Sequence, residues 1–108
     1  LEVNKHSQTI LLIDFQDEIT NNQLNLIKQN FLTLTDKIKD IIDVERGYFS
    51  SPEQLNNGFQ YCVLTNFINE NARNNYLTHP EHKKLQELFV SYLKRIIVFD
   101  YVVAETLE

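Results

Sequence analysis

Apolar and polar positions along this chain change period several times, and each change marks an element. Residues 9–16 (Thr-Ile-Leu-Leu-Ile-Asp-Phe-Gln) are largely β-branched and apolar between polar clusters, which predicts a strand. Thr20-Asn-Asn-Gln23 then has the spacing of a capping box, in which the threonine hydroxyl and the later glutamine satisfy free amide groups. Behind it Leu24, Ile27, Phe31, Leu34, Ile38 and Ile41 recur at steps of three and four. That is the apolar stripe of an amphipathic helix of about 20 residues. Residues 44–50 read as a second strand, with Gly47 permitting a bulge or close approach. A polar loop over 51–58 ends in Asn56-Asn57-Gly58, which is turn chemistry, and 59–68 alternates as a third strand. Residues 69–78 read as a short helix. His79-Pro80 starts another, because proline's missing donor is harmless at the first helical position. That helix carries Leu85, Leu88, Phe89, Tyr92 and Leu93 on one face, and 95–103 form the last strand.

The order is β-α-β-β-α-β with the second helical region split. It predicts an α+β, ferredoxin-like domain of four antiparallel strands with helices on one face. In the last strand Ile96, Val98 and Val102 share one face, and Ile97, Phe99, Tyr101 and Val103 the other. The first strand likewise sets Leu11, Ile13 and Phe15 against Ile10 and Leu12. Helices cover only one side of such a sheet, so the second apolar face calls for a partner. A homodimer packed sheet against sheet is the simplest solution, and it would also bury Cys62 if that residue lies on the outer face.

Composition narrows the function classes. The chain has 108 residues, which make one domain over residues 9–103, with 1–8 and 104–108 read as flexible ends. Ten basic against fifteen acidic residues give a net charge of −5, with no Lys/Arg cluster, which argues against nucleic-acid binding. Ile10 to Ile13, the longest aliphatic run near the N-terminus, is too short for a signal peptide or membrane span. A soluble cytoplasmic protein with no membrane association is therefore expected. The single cysteine, Cys62, leaves no intrachain disulfide and no cysteine-based metal site, and no nearby cation activates it. Nothing resembles a phosphate-cradling glycine loop, and no cofactor is expected.

Candidate chemistry is concentrated in Tyr76-Leu77-Thr78-His79-Pro80-Glu81-His82 and in Val98-Phe99-Asp100-Tyr101. With an ordinary pKa near ~6.5, His82 can exchange a proton at neutral pH. Tyr76 can hydrogen-bond a carbonyl and steady an enolate. Asp100 shares a strand face with Ile96, Val98 and Val102, so it needs a partner, and a hydrogen bond from His82 is the expected one. Leu11, Ile13, Phe31, Val63 and Val98 are expected to line an apolar pocket around these groups. The competing account makes His79-Pro80 a cap, bonds His82 to a backbone carbonyl and leaves Tyr76 as core. His79 and His82 have a spacing that could serve a metal, but proline constrains the first and no third ligand is near, so no metal site is expected.

Taken together, these residues resemble a known family. The first strand running into Phe15-Gln-Asp-Glu-Ile-Thr20, then Gly47, Ser50, Leu55-Asn-Asn-Gly58-Phe59 and Phe67 are similar to the stress-responsive dimeric α/β-barrel domain. Tyr76, His79-Pro80-Glu81-His82 and Val98-Phe99-Asp100-Tyr101 extend the match, which spans roughly residues 9–103. The resemblance implies two sheets from two subunits closed into a shared barrel with helices outside. Most such domains have no assigned reaction; a minority are plant polyketide cyclases of the olivetolic-acid type. In those, a tyrosine and a histidine matching Tyr76 and His82 form the polar end of a pocket between sheet and helices. This chain departs from them at Thr9, where the family often has a histidine, and at Phe31, where the cyclases have a tyrosine. The implied function is a dimeric barrel protein holding a small hydrophobic ligand. Its alternative is a cyclase-like lyase with His82 as acid/base and Tyr76 as carbonyl stabiliser.

Overall fold

The computed structural model describes residues 5–104, and the order of elements in it is the expected one. Strand β1 (Ser7–Phe15) leads to helix α1 (Asn21–Leu32), a short α2 (Leu34–Lys37) and β2 (Ile41–Tyr48). Strand β3 (Tyr61–Phe67) is followed by α3 (Glu70–Leu77), α4 (Pro80–Phe89), a 3-10 turn at Val90–Tyr92, and β4 (Leu93–Val102). The strands form one antiparallel sheet in the order β2-β3-β1-β4. A smallest extent of 17 Å fits two layers, one of sheet and one of helices.

Register decides what the helices cover. Thr9 sits between Thr65 and Asp100, Leu11 between Val63 and Val98, and Ile13 between Tyr61 and Ile96. Those rows face the helices. Ile10 between Leu64 and Phe99, and Leu12 between Cys62 and Ile97, make up the opposite face. The core is Ile13, Val63 and Phe67 from the sheet against Ile27, Phe31, Leu34, Leu85 and Phe89 from the helices. Cys62 lies on the outer face, the position that a sheet-to-sheet dimer would cover, and is half-buried there.

The long first helix is shorter than its stripe. The capping box forms as expected, with Thr20 Oγ1 accepting from the Gln23 amide and Gln23 accepting from the Thr20 amide. The helix then breaks at Thr33, whose hydroxyl turns back to the Asn30 carbonyl and competes with helix continuation. Ile38 is already extended and Ile41 begins β2, yet both side chains reach the same core. The stripe therefore reported burial correctly beyond the end of the helix. Strand β1 also begins earlier than expected. Ser7 is fully buried and donates to the Tyr101 carbonyl, so Ser7 and Gln8 belong to the sheet, not to a flexible end. Residues 1–4 and 105–108 lie outside the described residues.

The loop before β3 is fastened by one cation. Asn57 and Gly58 take positive φ (50° and 84°), and Arg95 from β4 donates to the Asn57 carbonyl and to Asp14 while lying 4.4 Å over the Phe59 ring. Among the described residues no helix is long and apolar enough to cross a membrane.

Candidate functional site at the corner between α3 and α4

The site is built at a tight helix–helix corner. Asn69 caps α3, its side chain accepting from the Ala72 amide, and the helix stops at Leu77. His79 caps α4 through Nδ1, which accepts from the Glu81 amide at 3.0 Å, and Pro80 takes the first helical position. With so short a connection, the first turn of α4 stands beside the last turn of α3. His82 Nδ1 lies 3.1 Å from the Tyr76 carbonyl and 3.3 Å from the Leu77 carbonyl. Carbonyls only accept, so Nδ1 carries the hydrogen and the neutral ring keeps its lone pair on Nε2.

Tyr76 and His82 form a stacked pair, with ring centroids 4.2 Å apart and planes inclined by 18°. The Tyr76 ring also packs on Phe67 at 5.2 Å. Burial lowers the His82 pKa, against the opposing pull of the two carbonyls, so neutral imidazole is favoured. Burial alone drives the Tyr76 phenol well above its ordinary range. No hydrogen bond among the described residues uses that hydroxyl. Among the described residues the fully buried side-chain polar atoms without a partner are Tyr61 Oη and Asn66 Oδ1, so the Tyr76 oxygen is left in reach of the pocket.

The pocket holds about 140 Å³ between sheet and helices. The sheet supplies Thr9, Leu11, Thr65, Ile96, Val98 and Asp100; the helices supply Phe31, Tyr76, Leu77, His82, Leu85, Gln86 and Phe89. Leu11, Phe31 and Val98 thus line it as expected. Ile13 and Val63 do not: both are fully buried in the core, where they pack with α1 residues Ile27 and Phe31. The expected bond from His82 to Asp100 is not formed either. Thr9, directly across β1–β4 from Asp100, donates to its carboxylate at 2.5 Å, and Arg73 lies 3.7 Å away. Asp100 is also less buried than its strand face suggested, with the side chain 31% exposed. It belongs to the rim, and His82 takes its orientation from the backbone. That backbone bond is the one foreseen by the competing account of the corner, but the neighbouring hydroxyl without a partner is not.

Thr65, Arg73 and Gln86 escaped the sequence reading, and Thr9 entered it only as a departure from the family's histidine, not as the partner of Asp100. Thr9 and Thr65 could have been found from strand alternation, since they share the inner face with Asp100. Arg73 carries no comparable signal. Both histidines at the corner have Nδ1 committed to backbone groups, and among the described residues no three His, Cys, Asp or Glu side chains converge on a point. Burial and the Glu45 carboxylate push the Cys62 thiol upward, away from nucleophilic use.

The geometry can be set beside known proteins. A family model described as Stress responsive A/B Barrel Domain matches residues 8–103. Olivetolic acid cyclase from Cannabis sativa is 24% identical over 92 residues, covering 85% of this chain and 91% of the cyclase. The solved structure of a hydroxynitrile lyase from Passiflora edulis superposes with a TM-score of 0.89 at 16% identity, over 98% of this chain and all (100%) of the lyase. A dimeric ferredoxin-like protein of unknown function from Thermobifida fusca gives a TM-score of 0.78 at 15% identity, covering 93% of this chain and 92% of that one. At such identities the two structural likenesses show the ferredoxin-like fold.

Proposed function

The chain belongs to the stress responsive A/B barrel domain family, and on that premise we propose that it is a dimeric protein whose corner pocket binds a small, mostly apolar carbonyl compound. The observation that carries the reading is the Tyr76 hydroxyl, a donor held without a protein partner beside a neutral imidazole in a largely apolar cavity. A carbonyl oxygen is the acceptor this donor lacks. Leu11, Leu85, Phe89 and Val98 would take the hydrocarbon part of the ligand.

The dimer rests on the outer sheet face. Phe99 is 60% exposed and Ile97 44%, beside Ile10, Leu12 and Cys62. A contiguous apolar sheet face is what a second copy would cover, and the Thermobifida fusca protein of the same fold is described as dimeric.

A second reading is favoured by the locked tautomer. With Nδ1–H bound to carbonyls, Nε2 of His82 is a base at neutral pH, and Tyr76 could stabilise the enolate formed by removing a proton next to the carbonyl. Attack of such an enolate on a second carbonyl of the same molecule closes a ring, which is chemistry of the kind named for the Cannabis sativa cyclase. The decisive experiment is an NMR titration of the purified protein with small aromatic ketones and linear polyketone esters, following the His82 and Tyr76 ring resonances. Saturable shifts at these rings and at the Val98 methyls are expected. If every compound leaves them unmoved, the pocket is packing and nothing more. Should a binder be consumed, His82→Gln ought to abolish turnover while retaining binding.

A further inference from the structure

At the opposite end of the inner sheet face lies a second recess, of about 270 Å³, bounded by Lys28, Arg46, Gly47, Tyr48 and Tyr61. Its chemistry is one-sided. Arg46 and Tyr48 alternate on edge strand β2, with Arg46 opposite Val63 and Tyr48 opposite Tyr61, so both side chains stand on the helix-facing side. Lys28 comes from α1 and lies 4.4 Å over the Tyr48 ring and 5.6 Å from the centre of the Tyr61 ring. It also donates to the Tyr48 hydroxyl, which leaves that hydroxyl's own proton free to be given elsewhere. Every polar side chain of the recess therefore has a donor to offer.

No carboxylate among the described residues answers that set of donors. Among the described residues neither Lys28 nor Arg46 forms an ion pair: the carboxylates that pair there do so with Lys37, Lys84, Arg73 and Arg95. Glu45, the neighbour of Arg46, is directed to the other face of the sheet by strand alternation. The second observation is burial. Among the described residues Tyr61 is only 3% exposed and its hydroxyl is one of two fully buried side-chain polar atoms that no well-formed hydrogen bond reaches; the Arg46 guanidinium lies beside it, and a phenol oxygen facing a donor still has its own proton to give. Natural structures rarely leave such a group unsatisfied, and a missing ligand is one of the few explanations. Its ring meets Tyr48 edge-on at 5.1 Å, so both phenols belong to one wall.

We propose that the recess formed by Lys28, Arg46, Tyr48 and Tyr61 is a binding site for a small oxyanion, the phosphoryl or carboxylate group of a small molecule. Two cations supply charge-assisted hydrogen bonds, and the two phenols add neutral donors from a buried wall. The proposal does not depend on the reading of the Tyr76–His82 pocket, which shares no lining residue with this recess.

The test uses the full chain at constant ionic strength, balanced with chloride. The Tyr48 and Tyr61 ring signals and the Arg46 Nε–H signal are followed by NMR while inorganic phosphate or acetate is added. A saturable shift with phosphate assigns a phosphoryl group, and one with acetate a carboxylate; either supports the site. Arg46→Gln and Tyr61→Phe should each weaken that binding about tenfold. Tyr61→Phe retains the ring that packs in the core, so its fold should survive the change. Shifts that fail to saturate with both anions, or an affinity unchanged in Arg46→Gln, would overturn the proposal.

Discussion

Tyr76→Phe separates a working hydroxyl from a structural ring. The ring's contacts, with Phe67 at 5.2 Å and with His82 at 4.2 Å, survive the substitution unchanged. Only an oxygen without a protein partner is removed. Burying such a group without a hydrogen bond costs roughly 1–3 kcal/mol in protein mutational data, and access to the pocket reduces that penalty. The phenylalanine variant should therefore lie between equal stability and about 1 kcal/mol more stable than wild type. A hydroxyl with an intramolecular acceptor would instead lose about 0.5–1.5 kcal/mol. Urea denaturation distinguishes these outcomes, provided the slope stays constant and only the midpoint moves. Binding of the carbonyl compound that shifts the His82 ring should weaken by about tenfold, and any turnover should fall by roughly 10²–10³, as for an oxyanion donor. A variant destabilised by more than about 1 kcal/mol with ligand binding intact would refute the argument, because the hydroxyl would then be a structural partner.

Other consequences are equally open to measurement. Burial lowers the His82 pKa, so in the window between its folded value and the unfolded value near ~6.5 the unfolded chain binds more protons. The contribution of His82 to stability is thus complete above that window and is lost as pH falls through it. The ring is half-buried and solvent-screened, so the loss should stay below about 1 kcal/mol. Denaturation of wild type against His82→Gln across this range isolates it: the wild-type advantage should grow as pH rises through the window, and one that grows as pH falls would contradict the sign. Gly58→Ala should cost about 1–3 kcal/mol from its φ of 84°, and the added Cβ would meet Arg95 Nη2 at 2.5 Å and displace the fastener of that loop. Thermal melting in parallel with Arg95→Gln would show whether the two losses overlap, as a shared contact requires. Phe99→Glu, on the exposed outer face, should turn a dimer into a monomer in analytical ultracentrifugation without unfolding the chain. An unchanged sedimentation coefficient would place the interface elsewhere.

The order of elements was legible because each has a distinct period, and because Thr20, Asn69 and His79-Pro80 mark helix starts with side chains that do cap them. The end of α1 was not. Ile38 and Ile41 continue the spacing of the stripe, and a hydrophobic stripe records which side chains are buried, not whether the backbone between them is still helical. For the site, local sequence brought Tyr76 and His82 together, since both sit at one corner. Long-range partners were harder. Asp100 needed an acceptor's partner, but the choice between His82 and Thr9 depended on strand register, which places Thr9 directly opposite. Ile13 and Val63 were assigned to the pocket from their face alone, whereas how far α1 extends over that face decides which inner residues touch a cavity and which touch Phe31.

This division between corner and sheet bears on what the departures at Thr9 and Phe31 mean. If His82 were oriented by Asp100, exchanging the residue across from Asp100 would disturb the base directly. Here the orientation comes from the Tyr76 and Leu77 carbonyls at the end of α3, which no side-chain substitution removes. The stacked tyrosine comes from the same helix turn. Thr9 occupies Asp100 at the rim, and Phe31 spends its surface on Phe89, 5.6 Å away, so both shape the pocket without touching the hydrogen bonds of the pair. Thr9→Val should accordingly weaken the β1–β4 rim by about 1 kcal/mol, the worth of one hydrogen bond to a partly exposed carboxylate that keeps Arg73. The His82 titration should stay where it is. A large displacement of that titration in Thr9→Val would mean that the carboxylate orients the base after all, and the corner would then be only half of the site.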